Sequence, residues 1–150
     1  MYETISLYEL PKDLSPELAR VLDYWEGLKR GSAEMPFWDD VNLTDLPHLE
    51  DRIALIDVFE NPERFRFGLV GHQLAVSQPL PVAGKFLDEI SLTRPLDYLR
   101  SQCSATVEGR SPTYFESVEA KGLPAAEARR RIVLPLWGEG QIRMLMVAVD

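Results

Sequence analysis

The chain has 150 residues, of which 45% are apolar and 27% are charged, and its formal net charge is −8 at pH 7. A chain of this length buries roughly 70% of its unfolded surface, so its core needs no disulfide or structural metal, in agreement with the single cysteine. The acidic balance repels phosphate backbones and no apolar run is as long as a membrane span, so we expect a cytoplasmic protein with no nucleic-acid or membrane partner.

The amino-terminal part contains one amphipathic helix. Residues 1–14 form an arm for which the pattern predicts no structure. A helix is predicted over residues 16–29, because Ser15 can cap its first turn and Gly31 can end it. Its apolar residues return every three or four positions in one stripe, made of Leu18, Val21, Leu22, Trp25 and Leu28. An exposed stripe would be costly, so we expect it to contribute a homodimer interface; alternatively, the helix folds back on its own sheet and leaves a monomer.

A β-hairpin is predicted after an irregular segment with a helical turn near residues 37–41. Residues 53–59 are β-branched and aromatic, and residues 64–70 alternate arginines with apolar residues, with turn chemistry between the two runs. One-turn helices should follow between Gly71 and Thr93, where prolines break the pattern.

A second long helix is predicted from Thr93 and Pro95 to Gly109. Three strand-like runs then close the chain as an antiparallel meander, over residues 113–120, 128–134 and 141–149. Pro135 should end or bulge the second of these strands. The three arginines at 129–131 point to alternating sides of that strand, so we interpret them as solvated charge and not as a phosphate-binding stripe.

Together these elements predict a single α+β domain over residues 15–150. Two hairpin strands, a helical crossover and three further strands make a five-stranded antiparallel sheet with the crossover on one face. This order of elements resembles a PAS domain, and several segments are similar to a branch of small bacterial PAS proteins that often stand alone. The segments are LDYW at 22–25, MP at 35–36, LIDV at 55–58, RFRFGLVG at 64–71, AGKFLDE at 83–89 and RIVLPL at 131–136.

The resemblance extends over residues 18–149, nearly the whole chain. Two places depart from it: His72 stands where that branch usually has a small hydroxyl residue, and residues 78–81 are unusually rich in proline. The resemblance implies a non-enzymatic sensory or regulatory module that binds a small apolar ligand, a protein partner or both. Because the chain carries no kinase, cyclase or DNA-binding segment, such a module would signal through contacts with an unidentified protein.

A ligand pocket is predicted between the inner face of the sheet and the helical crossover. The apolar alternation of the hairpin and the stripe of the second helix must face each other, and methionines adapt to irregular shapes. The expected lining is drawn from Phe67, Leu69, His72, Tyr98, Leu99, Cys103, Met144 and Met146.

No redox or metal cofactor is expected. The resemblance implies that a flavin would need an Asn-Cys-Arg motif and a haem an axial histidine on the long helix. Cys103 instead lies in a Gln-Cys-Ser sequence on an apolar stripe, and the long helix contains no histidine, so both cofactors are disfavoured. We interpret Cys103 as a buried core thiol. His48 and His72 have no metal-ligand spacing.

Two other functions stay open at this point. One is a pure interaction or scaffold domain with a filled core. The other is a small enzyme of the ketosteroid-isomerase type, in which Asp57 and His72 would serve as acid and base. The simpler interpretation is that Asp57 pairs with an arginine such as Arg66 or Arg143, and that His72 is an exposed loop residue.

Overall fold

The computed structural model describes residues 8–116 and 130–150 of the chain. The strands form one antiparallel sheet of order β2-β1-β5-β4-β3, and this confirms the predicted α+β class with a five-stranded antiparallel sheet. The main elements in chain order are α1 (Pro16–Gly27), β1 (Ile53–Phe59), β2 (Arg64–Val70), α2 (His72–Val76), α3 (Leu99–Gly109), β3 (Thr113–Glu116), β4 (Arg130–Gly138) and β5 (Gln141–Val149). No helix within the described residues is long and apolar enough to cross a membrane.

Several strands and helical turns occur where the sequence pattern predicts them. The hairpin strands β1 and β2 and the last strand β5 have the predicted bounds. One-turn 3-10 helices occur at Trp38–Asp40 and Leu87–Glu89, close to where turns of helix were expected. The predicted strand residues 117–120 and 128–129 lie outside the described residues.

The inner face of the sheet is the face that α3 covers. The register places Ile56 opposite Phe67 on β2 and opposite Leu145 on β5, so these three side chains share a face. Arg131 lies on the same face, because its partner on β5 is Val149 and side chains alternate along that strand. The Arg131 guanidinium donates to a side chain of α3, which places this helix on the inner face.

Helix α1 covers the opposite, outer face, where Leu134 and Met146 are paired and fully buried. The helix contacts both β4 and β5. Its cap forms as predicted, since the Ser15 hydroxyl accepts a hydrogen bond from an amide of the first turn. The Trp25 indole Nε1–H donates to the carbonyl of Pro135 at 2.9 Å, which fixes the helix to the strand below it.

The burial of the α1 stripe removes the reason for expecting a dimer interface there. Leu18, Val21 and Trp25 are each 1% exposed in the single chain, whereas Leu22 and Leu28 are half-buried. The helix folds back on its own sheet because β4 and β5 are apolar on both faces, and the crossover covers just one of them. The oligomeric state stays a prediction that no longer follows from this stripe.

Strand β4 continues past Pro135, so the prediction that this proline ends the strand is wrong. Strand β3 pairs with β4 as far as Val133, and the Pro135 carbonyl is bound by Trp25 and not by β5. The N–H and C=O of a strand residue point to the same side, so the missing N–H of Pro135 removes no bond to β5. A bulge lies just beyond, between Leu136 and Trp137.

The second long helix also begins later than predicted, at Leu99 and not near Thr93. The Gln78 side chain donates to the Thr93 carbonyl and accepts from the Thr93 amide, each at 2.9 Å. These two bonds fasten Thr93 to the earlier part of the crossover. Tyr98 has a φ of 61°, in the left-handed region, and separates this segment from α3, which ends at Gly109 as predicted.

Candidate functional site

The predicted pocket between the sheet and the crossover is filled by side chains. Phe67, Leu99 and Cys103 are each 0% exposed and belong to one hydrophobic core. The structure therefore brings these three residues together as predicted, but as core and not as the walls of a cavity. The cavities described below open elsewhere.

The two methionines of the predicted pocket lie on the outer face of the sheet, away from Phe67. Met146 pairs with Leu55, whereas Phe67 pairs with the next residue of β1, Ile56. Met144 lies two residues from Met146 and shares its face. The prediction that the methionines and Phe67 line one pocket is therefore wrong. The faces are set by the strand register, which the sequence pattern does not specify, and a shift of one residue would exchange them.

The remaining predicted pocket residues are at the surface. Leu69 is 50% exposed near the end of the edge strand β2, and Tyr98 is 61% exposed just before α3. His72 is exposed at the start of α2. None of these three side chains belongs to the hydrophobic core or packs against it.

Cys103 is a core thiol, as interpreted from the sequence. Burial raises the pKa of Cys103 to about 12, and the Arg131 charge acts in the opposite direction. A thiol with that pKa holds almost no thiolate near neutral pH, so it is a poor nucleophile.

Asp57 forms the predicted ion pair. Its carboxylate lies on the outer face and accepts from Arg66 Nη2 at 3.0 Å. The register places Asp57 opposite Arg66 on β2. Arg66 is four residues before Val70, the last residue of β2, and His72 lies beyond that end. Four residues of strand span about 13 Å, so Asp57 and His72 are too far apart to act on one substrate atom.

Arg131 is the most unusual group on the inner face. It is 1% exposed, which contradicts our interpretation of this arginine as solvated. Its Nε donates to Gln102 Oε1 at 2.7 Å, and its Nη1 donates to the carbonyls of Pro95 and Asp97 at 2.9 and 3.0 Å. Its guanidinium carbon lies 4.8 Å from the centre of the Phe115 ring.

The acceptors around Arg131 are neutral, so they solvate its charge without cancelling it. Burial lowers the pKa of Arg131 to about 10. Its buried Nη2 has no hydrogen-bond partner within the described part of the chain, an arrangement that costs free energy. The neighbouring polar groups are satisfied, since Gln102 Nε2 donates to Thr113 Oγ1 at 3.2 Å and the hydroxyls of Thr106 and Thr113 lie 2.7 Å apart.

A cavity of about 440 Å³ opens beside this buried arginine, and we call it the Arg52 cavity. It lies where the start of β1, the helix α2, the crossover and the end of β5 meet. Its lining consists of Arg52, Gln73, Leu74, Ser77, Arg94, Pro95, Val149 and Asp150. Arg131 stands behind this wall, because Val149 is its partner on β5 and the Pro95 carbonyl accepts its Nη1–H.

Arg52 is the distinctive cation of this cavity. Among the residues that the structure describes, its guanidinium has no hydrogen-bond or ion-pair partner. Other arginines lie beside carboxylates, as is usual in an acidic chain, namely Arg30, Arg64, Arg66, Arg110, Arg130 and Arg143. Arg52 is half-buried, so its unmatched charge faces a cavity and not open solvent.

The other polar groups of the Arg52 cavity differ in their availability. The Ser77 hydroxyl already donates to the Leu74 carbonyl at 2.6 Å and accepts from Gln78 Nε2. The Asp150 carboxylate lies 3.5 Å from Arg130 Nη1, which offsets part of its charge. The exposed amide of Gln73 extends the polar rim.

A second cavity, of about 320 Å³, has an aromatic wall and lies next to Arg110, at the carboxyl end of α3. Phe37 and Trp137 line it together with Met35. The ion pair between Arg110 and Glu34, at 3.0 Å, also borders it, and the Arg110 guanidinium lies 5.2 Å from the Trp137 ring. The basic group at this site is therefore already neutralised.

Sequence reasoning missed the Arg52 cavity. Arg52 precedes a strand and Arg94 precedes a proline, and neither position belongs to a motif. Their proximity to one cavity arises when β1, α2 and the crossover come together, so no local signal in the sequence could have indicated it.

Comparison with known proteins gave no match to a family model, to a curated protein or to a solved structure. Among residues 8–116 and 130–150, no three His, Cys, Asp or Glu side chains form a group that could hold a metal ion. Function is therefore inferred from the arrangement of this chain's own residues.

Proposed function

We propose that the chain is a PAS-type sensory or regulatory module, not an enzyme, that acts through contacts with a signalling protein. The observation that supports this most is the sheet order β2-β1-β5-β4-β3 with a helical crossover between β2 and β3. PAS domains have the same order of a hairpin, a crossover and a meander. The sequence resemblance over residues 18–149 is the second support for this proposal.

The filled core limits where the module could bind a ligand. A small apolar ligand between the sheet and α3 would have to displace Phe67, Leu99 or Cys103, all of them fully buried. Dense apolar cores resist such displacement. The Arg52 cavity, which is already open, is the better candidate for small-molecule binding, and a scaffold domain with a filled core is the second function that the structure favours.

An enzymatic function of the ketosteroid-isomerase type receives no support. It requires Asp57 and His72 to flank one pocket, but Asp57 pairs with Arg66 on the outer face and His72 is exposed on α2. General acid and base groups must come within hydrogen-bond reach of the reacting atoms.

The experiment that tests the proposal combines an absorption spectrum with denaturing extraction. The intact chain is purified, its visible spectrum is recorded, and the small molecules released by denaturation are identified by mass spectrometry. We expect no visible band and no stoichiometric metal, and a released organic ligand would support the sensory function. A visible cofactor band would contradict the expectation of no redox cofactor, although a bound flavin would still support the sensory function. An empty protein whose stability responds to no metabolite would favour the scaffold function.

A further inference from the structure

We propose that the second cavity, which Phe37 and Trp137 line, binds an uncharged heteroaromatic molecule of one or two rings that carries a hydrogen-bond acceptor beside a donor. We call it the Trp137 cavity. It is a separate site from the Arg52 cavity, whose lining contains no aromatic ring. The inference goes beyond the proposed sensory function and does not depend on it.

The backbone holds the two aromatic residues of the Trp137 cavity beside each other. The Trp137 amide donates to the Pro36 carbonyl at 2.8 Å, and Phe37 pairs with Trp137 in a parallel bridge. Side chains of residues paired in this way lie on the same side of the bridge. Met35, which is 3% exposed, also lines the cavity. A preformed, largely apolar wall and a volume of about 320 Å³ are typical of a small-molecule site.

The charges around the Trp137 cavity favour an uncharged ligand. Glu34 and Arg110 line it and are paired with each other at 3.0 Å, so they leave no net charge to be matched. A cationic ligand would compete with guanidinium groups that already lie near both rings. Arg110 lies 5.2 Å from the centre of the Trp137 ring, and Arg30 lies 5.0 Å from that of Phe37. An anionic ligand would be repelled by a chain whose net charge is −8.

An uncharged aromatic ring gains from the same walls. Aromatic pairs stabilise each other in offset-stacked or edge-to-face arrangements, in addition to the effect of the apolar area that they bury. Phe37 and Trp137 are both half-buried, so part of each side chain is still open to such a contact.

The ion pair offers two further hydrogen-bonding atoms. Arg110 Nε and Nη2 both donate to Glu34 Oε2, at 3.1 and 3.0 Å. Within the part of the chain that the structure describes, Arg110 Nη1 and Glu34 Oε1 have no hydrogen-bond partner. The first atom is a donor and the second is an acceptor. The matching ligand edge therefore carries an acceptor next to a donor, as a lactam or an amino-substituted nitrogen heterocycle does.

The test uses carbostyril, an uncharged bicyclic aromatic lactam, as the probe. N-methylcarbostyril lacks its N–H donor, and N-methylquinolinium is a cation of similar shape. Each is titrated into the isotopically labelled intact chain, and the tryptophan indole N–H resonances are followed by NMR. We expect carbostyril to shift the Trp137 resonance in a saturable manner and both analogues to bind about fivefold or more weakly. The Trp25 indole, which donates to the buried Pro135 carbonyl, is the internal reference and should not shift.

A variant of the aromatic wall tests the ring contact. Phe37→Leu keeps an apolar side chain but removes one ring, so it should weaken carbostyril binding by about fivefold. Phe59→Leu is the matched control, because Phe59 is 37% exposed and does not line the Trp137 cavity. Thermal unfolding of each variant checks that the fold is intact.

A variant of the ion pair tests the hydrogen-bonding edge. Glu34→Ala removes the acceptor, so it should abolish the preference for carbostyril over N-methylcarbostyril. Glu26→Ala is the matched control, because Glu26 is an exposed glutamate that is paired with Lys29 on α1, outside the cavity. It should keep the preference of the wild type.

Four results would overturn the inference. These are the absence of a saturable Trp137 shift with carbostyril, tighter binding of the cation, equal binding of the two lactams by the wild type, and an unchanged preference in Glu34→Ala. Because Glu34 is exposed, this last variant stays decisive if Phe37→Leu does not fold. The proposed sensory function is tested separately by ligand extraction.

Discussion

The two faces of the central sheet are both buried, but they are buried by different chemistry. On the outer face, α1 places Leu18, Val21 and Trp25 against apolar strand residues, and the indole makes one hydrogen bond to the Pro135 carbonyl. On the inner face, α3 buries Gln102 and Thr106 among its apolar residues. Both are hydrogen-bonded to Thr113 on β3, and Gln102 also accepts from Arg131.

The difference teaches how far periodicity describes a contact. Apolar burial is non-directional. A stripe of apolar residues at helical spacing is therefore enough to predict which side of α1 packs against another surface. A buried polar network depends on partners from separate parts of the chain, and each member is costly when its partner is lost. The outer face should therefore be sensitive to charge, and the inner face to the loss of single hydrogen-bond partners.

The largest expected effect is that of a charge on the outer face. Val21→Glu places a carboxylate in a site that is 1% exposed, and an unpaired buried charge costs about 4 kcal/mol or more. We expect this variant to be unfolded or strongly destabilised in chemical denaturation at neutral pH. Leu22→Glu, at the neighbouring half-buried position, is the control and should stay folded.

Light scattering of the same variants tests self-association. If α1 packs on its own sheet, a dimeric wild type should not become a folded monomer through Val21→Glu. A folded, monomeric Val21→Glu protein derived from a dimer would show that the stripe faces another subunit and not β4 and β5.

The next largest effect is expected on the inner face. Gln102→Leu leaves Arg131 Nε without its acceptor at 2.7 Å, which should lower the free energy of unfolding by about 1.5–3 kcal/mol. Adding Arg131→Met should recover much of this loss, because an apolar residue of similar length removes the buried charge. Urea denaturation of both single variants and of the double variant gives the coupling. Additive losses in the double variant would mean that the network is not formed in solution.

A smaller effect on stability, one that depends on pH, is expected from Cys103 on the inner face. Burial raises the pKa of Cys103 from its ordinary value of 9.0 to about 12. Between about pH 9 and pH 12 the unfolded chain therefore loses a thiol proton that the folded chain keeps, so stability falls as pH rises. Cys103→Ala should show a shallower fall over this interval, measured by denaturation at a series of pH values. Tyr114, whose pKa burial also raises to about 12, titrates in both proteins and cancels in the comparison.

A thiol reagent gives an independent readout for Cys103. The folded protein should react slowly with it at pH 8, and the denatured protein should react fully. Rapid modification of the native protein would contradict the dense core that the inner face requires.

The smallest effect is expected away from both faces. Asp88 accepts two hydrogen bonds from Arg64, at 2.8 and 2.9 Å, and these lower the pKa of Asp88. The contribution of this exposed pair is present above the ordinary carboxyl pKa and is lost as pH falls through the lowered value. Asp88→Asn should change stability less than any variant above, and high salt should remove the difference. A loss as large as that of Gln102→Leu would show that surface pairs matter as much as the buried network.

The amino-acid sequence by itself determined the local elements of this protein. Turn residues and strand alternation set the bounds of β1 and β2, and Ser15 and Pro16 set the start of α1. These signals act between residues close together in the chain, where backbone geometry and capping decide the outcome. The α+β class follows from their order.

The tertiary structure alone decided which side chains share an environment. The register between β1 and β5 put Met146 on the face opposite Phe67. Arg131, which the sequence pattern placed at the surface, is buried in the core. The same assembly brought Arg52 and Arg94 to one cavity. Such placements depend on long-range pairing, in which a shift of one residue exchanges the two faces of a strand, and no pattern within a single element encodes that choice.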